Sequence, residues 1–462
     1  MSADRTALGV ALASRVFSAA ARARAAAYDL GALPVVRIEG AAVFSVGNLR
    51  VGGSGKTPFA MWLAAAVAVR GTKVAIVLRG YGGSLSGRGG VVSAGLGPIV
   101  SPREAGDEAY LAALKSPPGV AVHVGADRVA AARHAAKDGA RAVVLDDGFQ
   151  HRRLHRDCDI VLVCPEDLDP RTSTLPRGPL REKPLALRRA HLVAGFEAEW
   201  VGRSDAPEIL IASALTGLVD LAGDVAPIER GRRAFLFAGV ARPERLVRDA
   251  KLAGIEVAGV RLFRDHHWFD RRELDAVATE ARDLRADLLL TTEKDLVRVE
   301  VPPDGPRLAA LRREIGVARG ADLLAETIGR ALGALEARGR ARRAEGGTAY
   351  GLGAPEAVAS EQMTSLMAFI EEHKANRDDQ VVVRFEGGVL RLTGDRIAME
   401  VGGETLAFDA ADEPSLRTAV ETAARAVPLR DDSLESFVVA HALRRVLLRR
   451  LPEHPLLEAL RR

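Results

Sequence analysis

Apolar residues in the first two-thirds of the chain collect in short unbroken runs. Residues 43–46, 74–78, 120–124, 142–145, 160–164 and 191–194 each predict a strand buried on both faces. Helical patterns at 58–70 and 127–137 lie between several of these runs. That alternation predicts an α/β fold with a parallel sheet covered on both sides. A second set, with strands at 235–240, 257–262 and 288–291 and helices at 243–253 and 271–284, predicts a smaller α/β unit. Residues 197–230 are mixed in character and read as a connector between the two sets.

The two ends of the chain depart from this pattern. Residues 4–30 predict one Ala- and Arg-rich helix. At about 100° per residue Leu8 and Arg15 fall on nearly the same side, so its faces separate poorly. It fits a helix packed on the domain surface at least as well as one lying on a membrane. Residues 336–360 carry Arg338, Arg340, Arg342 and Arg343, then Gly346, Gly347, Gly351 and Gly353. Charge and glycine without an apolar period predict a flexible linker. Beyond it, Gly387-Gly388 separates strand patterns at 380–386 and 389–393, and Gly402-Gly403 separates 397–401 from 405–408. These are two hairpin signals, and helical patterns follow at 415–426 and 433–450. The expected plan is a first α/β domain over 1–205, a second over 206–335, the linker, and a small α+β domain over 361–462.

Composition narrows the possibilities. With 462 residues, 48% of them hydrophobic, the chain has enough apolar surface for several globular domains. Its two cysteines, Cys158 and Cys164, make no disulfide framework and fit a reducing compartment. Aromatic residues are only 4%, which argues against a base-stacking nucleic-acid binder. The net charge of +4 permits contact with an anionic substrate or membrane surface and demands neither. No apolar run reaches the ~18–20 residues of a spanning helix. Asp4 and Arg15 interrupt what would be a signal peptide. The expected location is the cytoplasm or the cytoplasmic side of a membrane.

The strongest local signal is Val51-Gly52-Gly53-Ser54-Gly55-Lys56-Thr57, between a predicted strand and a predicted helix. Strand, glycine-rich loop and helix in that order are the context of a phosphate loop. Its backbone N–H groups turn toward phosphate oxygens, and the helix N-terminus adds partial positive charge. Lys56 can reach the β- and γ-phosphates, and the Thr57 hydroxyl can ligate Mg²⁺. Arg50 stands where the usual motif has its first glycine.

Acidic motifs follow. Residues 142–147 form an apolar strand ending in Asp146 and Asp147, a place where phosphate-loop proteins hold Mg²⁺. Gly148-Phe149-Gln150-His151-Arg152-Arg153 continues it with polar donors at a strand end. Gly106-Asp107-Glu108 opens a helical stretch. It reads either as acids favoured by the helix dipole or as a general base beside a metal ligand. Asp265-His266-His267 follows a strand of the second unit, and two adjacent histidines on extended backbone point opposite ways. His266 is either a loop histidine or the partner of Asp107. Thr291-Thr292-Glu293-Lys294-Asp295 ends another strand. Leu175-Pro176-Arg177-Gly178-Pro179-Leu180-Arg181-Glu182 is either a rigid connector or a loop presenting Arg181 to a phosphate.

Taken in order, these blocks resemble the tetraacyldisaccharide 4'-kinase family over residues 5–335. Further matching blocks are Ser45-Val46-Gly47-Asn48-Leu49, Leu78-Arg79-Gly80-Tyr81-Gly82-Gly83 and Phe237-Ala238-Gly239-Val240-Ala241-Arg242-Pro243. That family also lacks the first loop glycine. The resemblance implies a phosphate-loop NTPase-like α/β domain, a second α/β domain, and an active site in the cleft. It implies transfer of the γ-phosphoryl of ATP to the 4'-hydroxyl of a lipid A disaccharide precursor, by a peripheral protein of the inner membrane's cytoplasmic face. It further implies Asp107 as base with His266 its partner, Thr57, Glu108 and Asp146 around Mg²⁺, and Arg79, Asp147, Gln150, His151 and Arg181 in support. The residues alone also admit a phosphate-loop kinase of a small soluble substrate, or a nucleotide switch. The C-terminal domain is no part of the family pattern. It reads as a regulatory or partner-binding module or a fused neighbouring frame, and no protein partner is named by the sequence.

Overall fold

The unbroken apolar runs become buried strands whose alternate residues feed two opposite cores. In the computed structural model, α1 (Ser2–Asp29) precedes β1 (Ala42–Asn48) and α2 (Lys56–Ala68). Then come β2 (Val74–Leu78), α3 (Leu85–Arg88), β3 (Gly90–Ser93), α4 (Pro102–Ala105), α5 (Asp107–Lys115) and β4 (Val120–Val124). α6 (Arg128–Lys137), β5 (Ala142–Asp146), β6 (Cys158–Leu162) and β7 (Leu192–Gly195) complete the first half. Ala42, Phe44 and Val46 of β1 pack with Phe59, Leu63 and Val67 of α2 on one face. Val43 packs with Val129, Ala132 and Ala135 of α6 on the other. This period of two is what a strand buried on both sides requires. The structure describes residues 2–344, except 70, 197–203 and 205, and four strands between 380 and 409.

The second half holds β8 (Glu208–Val219), β9 (Val225–Ala226), β10 (Arg233–Ala238), α7 (Glu244–Leu252), β11 (Glu256–Leu262) and α8 (Arg271–Asp283). It continues with β12 (Leu288–Thr292), α9 (Glu293–Leu296), β13 (Arg307–Arg319) and α10 (Ala321–Ala344). One thirteen-stranded sheet runs through both halves in the order β11-β10-β12-β13-β8-β7-β6-β1-β5-β2-β4-β3, with β9 on β8. It is parallel except at β13–β8, β8–β9 and β3–β4.

Two readings from the pattern change here. The segment 197–230, expected to be a connector, contains the twelve-residue strand β8. β8 pairs antiparallel with the thirteen-residue β13 and joins the two expected α/β domains into one sheet. β8 has an exposed middle and β13 a half-buried one, and register shifts at Arg312/Arg313 and Val317/Arg319 break the period-two alternation. The expected linker at 336–360 begins inside α10, which continues to Ala344 and packs Leu324, Ile328 and Leu335 on the core beside α2. Arginines and glycines hid this helix because only its inner stripe needs to be apolar.

The chain divides into two compact units, 1–116 with 120–370, and 371–462 with 117–119. The second contains the expected meander. β14 (Gln380–Phe385), β15 (Gly388–Thr393), β16 (Arg396–Val401) and β17 (Glu404–Asp409) pair antiparallel with their sequence neighbours. The helices expected at 415–426 and 433–450 lie outside the described residues.

One backbone position sets the start of α5. Gly106 has φ 82°, and a Cβ there would lie 2.5 Å from the Tyr81 carbonyl oxygen. Gly106→Ala combines a left-handed conformation with a backbone clash. It should destabilise the protein by about 2–4 kcal/mol, read as a lowered midpoint in denaturant unfolding.

Candidate active site

The site forms at the carboxyl ends of β1 and β5, which pair in parallel with Val46 beside Asp146. Open α/β sheets place ligands at such edges. The loop from β1 into α2 is anchored from outside. Arg50 is buried and its guanidinium pairs with the fully buried Asp167. The Val51 N–H donates to the Pro179 carbonyl at 2.8 Å, and the Arg181 N–H donates to the Leu49 carbonyl at 2.6 Å. Arg50 therefore replaces a glycine with an anchor pointing away from the loop's mouth. Val51, Gly52 and Gly53 stay exposed, while Ser54 is buried and accepts from the Asn48 amide at 2.8 Å. Gly55 has φ 81°, and a Cβ on it would meet the Phe196 ring at 2.7 Å.

Lys56 and Thr57 open α2 beneath this loop. The Thr57 hydroxyl donates to Asp146 Oδ2 at 2.7 Å, and Lys56 Nζ lies 3.4 Å from Asp147 Oδ1. Asp147 also accepts from Arg181 Nη1 at 2.8 Å. Gln150 joins the cluster: its Oε1 accepts from Arg181 at 3.3 Å, and its amide donates to the Asn48 carbonyl and to Glu182. The two neighbouring aspartates behave oppositely. Burial and the charge of Glu108 push Asp146 up to about 7. Burial also opposes ionisation of Asp147, but Lys56 and Arg181 overcome it and hold that carboxyl below its usual range. Asp146 Oδ1 is buried without a hydrogen-bond partner among the described residues. A hard-oxygen cluster of Thr57, Asp146 and Glu108 with one orphaned carboxylate oxygen fits a Mg²⁺ ion.

A second cluster draws on both halves of the sheet. Asp107, 3% exposed at the start of α5, accepts from its neighbour's N–H through Oδ1 at 2.8 Å. Its Oδ2 lies 2.9 Å from His266 Nδ1 and 3.4 Å from Arg298 Nε. His266 sits after β11 with φ 59°, its N–H bonded to the Gly239 carbonyl and its ring 5.0 Å from that of Tyr81. Lys294 on α9 lies 3.0 Å from Glu108 Oε1 and 3.4 Å from His266 Nε2. Burial alone would raise the Asp107 pKa. The His266 hydrogen bond and the charges of Lys294 and Arg298 reverse that and keep it lowered.

Most residues expected from the sequence converge on these two clusters, and Glu108 connects them through Lys294 and through its field on Asp146. His151 does not. Burial and Arg128 hold it neutral, at about 4, and its Nε2 is buried without a partner among the described residues. Arg79 is exposed and contributes charge near Arg128.

Three participants escaped sequence reasoning. Arg298 is fully buried, bonded to Asp295, to the Gly239 and His267 carbonyls and to Asp107. Lys294 lay within a quoted strand-end motif without a role. Arg245 on α7 donates to the Gly53 carbonyl at 3.3 Å, setting a cation from the second half against the glycine-rich loop. Among 57 arginines no local cue marks Arg245 or Arg298.

Comparison with known proteins supplies the remaining constraint. The family model described as Tetraacyldisaccharide-1-P 4'-kinase matches residues 6–329. The Tetraacyldisaccharide 4'-kinase of Anaeromyxobacter dehalogenans (strain 2CP-C) is 44% identical over 341 residues, covering 68% of this chain and 87% of that one. The enzyme of the same name from Geobacter metallireducens is 39% identical over 319 residues, covering 67% and 92%. A crystal structure of LpxK from Aquifex aeolicus in complex with ATP is similar at TM-score 0.59 and 30% identity. It covers 70% of this chain and 98% of that one. A match that spans the whole sheet and both clusters makes this chain a member of the tetraacyldisaccharide-1-P 4'-kinase family.

Proposed function

We propose that the chain transfers the γ-phosphoryl group of ATP to the 4'-hydroxyl of a tetraacyldisaccharide 1-phosphate, giving lipid IVA. The observation that carries this reading is the buried Asp107 carboxylate, bonded to His266 and joined through Glu108 to the acids beside the glycine-rich loop. Family membership supplies the substrate class.

The loop amides and Lys56 hold the ATP phosphates, with the start of α2 adding its dipole. Thr57, Asp146 and Glu108 are the residues that would hold Mg²⁺, which neutralises charge on the β- and γ-phosphates. Arg181 fixes Asp147, and Asp147 holds Lys56 in place between turnovers. Asp107 accepts the proton of the 4'-hydroxyl as its oxygen attacks γ-phosphorus. The bond from γ-phosphorus to the bridging oxygen breaks and ADP leaves. His266 Nδ1 stays bonded to Asp107 and orients it. The chemistry asks chiefly for positioning and charge balance, which fits direct transfer to the acceptor hydroxyl.

The protein also acts at a lipid surface, on the cytoplasmic face of the inner membrane. No described helix is long and apolar enough to cross a membrane. α1 instead leaves Leu12 and Val16 more than 60% exposed, one turn apart on one face, with Leu30 exposed just beyond. Buried Ser14, on another face, bonds Thr174. A lipid surface would cover the apolar side chains while this second face stays docked.

The decisive assay is transfer from γ-labelled ATP with Mg²⁺ to the tetraacyl disaccharide 1-phosphate in detergent micelles. Transfer is expected, and ATP binding without transfer would overturn the reading. Asp107→Asn should lower kcat by about 10²–10⁴-fold and leave the ATP Kd within a few-fold. Because its pKa lies below the ordinary 3.8, Asp107 is ionised throughout the neutral range. The deficit of the Asn variant should therefore not vary between mildly acidic and alkaline pH. A deficit that vanished at the acid end would place the working proton elsewhere.

Arg245→Ala should raise the KM for ATP by about tenfold, the size of one partly exposed charge-assisted hydrogen bond, with a smaller change in kcat. An unchanged KM would remove Arg245 from the phosphate site. Leu12→Asp with Val16→Asp should weaken binding to anionic phospholipid vesicles by at least about tenfold. Equal flotation of both proteins would take α1 off the membrane.

A further inference from the structure

Away from the kinase site, β4 and α6 bring together three side chains that the proposed reaction does not use. His123 points from β4 and is 1% exposed. His134 lies in the last turn of α6, and Asp138 caps that helix four residues later. Each histidine places Nε2 3.8 Å from Asp138 Oδ2, and one donor atom from each residue lies within 4.8 Å of the other two. The two rings meet edge-on, with centroids 5.4 Å apart.

We propose that His123, His134 and Asp138 form a binding site for a divalent transition-metal ion of the zinc class, stapling α6 to β4. Ligands around a tetrahedral ion with bonds of about 2.0–2.1 Å sit roughly 3.3 Å apart. The observed spacings therefore need only a small inward rotation of the two exposed side chains. Histidine and aspartate four residues apart project from one helical face, a spacing suited to sharing one ion. Two imidazoles and one carboxylate favour zinc, cobalt or nickel over magnesium or calcium, which take oxygen ligands.

His123 Nε2 and His134 Nε2 both face Asp138 Oδ2 yet stand too far from it for a direct hydrogen bond, so the carboxylate closes the cluster without pairing tightly to either ring. His134 and Asp138 have half-exposed side chains, so an ion can enter from solvent while His123 closes the inner side. The opposite end of α6 carries buried Arg128, whose charge lies near Asp146 and Asp147. An ion here would fix the helix that bears this arginine without touching the reaction.

The test uses the full chain, stripped with chelator and titrated with zinc alone. One ion per chain is expected, with a raised Tm, and cobalt should give the intense visible absorption of a four-coordinate site. His134→Ala and Asp138→Ala, both on the surface, should each weaken binding by more than the roughly 10–100-fold typical of an outer-shell loss. Their Tm in chelator should match that of the parent, and zinc should no longer raise it. His123→Ala is not the primary variant, because removing a buried ring can unfold the protein by itself. No ion bound at micromolar free zinc would overturn the proposal. So would an equal zinc-induced Tm rise in the two surface variants.

Discussion

A carboxylate almost wholly removed from water must be compensated or neutralised, and Asp107 is compensated. The groups that do so come from another part of the chain. His266 follows β11, Lys294 sits on α9, and Arg298 follows it, all in the half of the sheet beyond β8. The α5 start and the second half are therefore bound by one electrostatic requirement. Arg298 must itself be satisfied, and it spends its donors on Asp295 and on the Gly239 and His267 carbonyls. Those carbonyls flank the His266 loop. The same arginine thus lowers the energy of the buried carboxylate and fixes the histidine that faces it.

The acids at the end of β5 are a contrasting case. Asp146 and Asp147 are adjacent, yet Lys56 and Arg181 hold one ionised while burial and Glu108 disfavour ionisation of the other. Two carboxylates side by side with separate environments take separate roles. Asp147 serves as the resting counter-charge of Lys56. Asp146, with one oxygen on Thr57 and one unpartnered, is the acid that gains most from a cation. Glu108 bears on both clusters, paired to Lys294 and repelling Asp146, so a cation near Asp146 would offset that repulsion.

The sequence made the chemistry more legible than the architecture. The loop and the Asp146-Asp147 strand end stood out as motifs because their residue types and spacing serve local needs, whereas Gly106-Asp107-Glu108 read equally as a helix start, and only the family resemblance pointed to a partnership with His266. The parallel strands were readable for a related reason: double-sided burial leaves unbroken apolar runs. β8 and β13 escaped, since their buried apolar residues lie toward the strand ends and the exposed or half-buried middles between them carry little apolar patterning. α10 was half hidden by its arginines. Arg298 and Arg245 reach the two clusters through partners some 190 residues away in sequence, Asp107 for one and Gly53 for the other. Such pairings exist only once the sheet is closed.

The seating of α1 connects the proposed lipid-facing helix to the site. Arg152 donates to the Ala25 carbonyl and pairs with Asp29, lowering the pKa of that carboxyl, and Arg24 donates to the Gln150 carbonyl. Tyr28 lies beneath both guanidiniums, with each near its ring face. The Gln150 side chain in turn holds the Asn48 carbonyl and Glu182 at the base of the glycine-rich loop. The last turns of α1 therefore share a hydrogen-bonded path with the loop that is to receive ATP. A surface ion pair such as Arg152–Asp29 contributes little stability by itself. Its value here is geometric. It holds the last turns of α1 on the Gln150 segment, while Leu12 and Val16, more than two turns earlier, stay exposed.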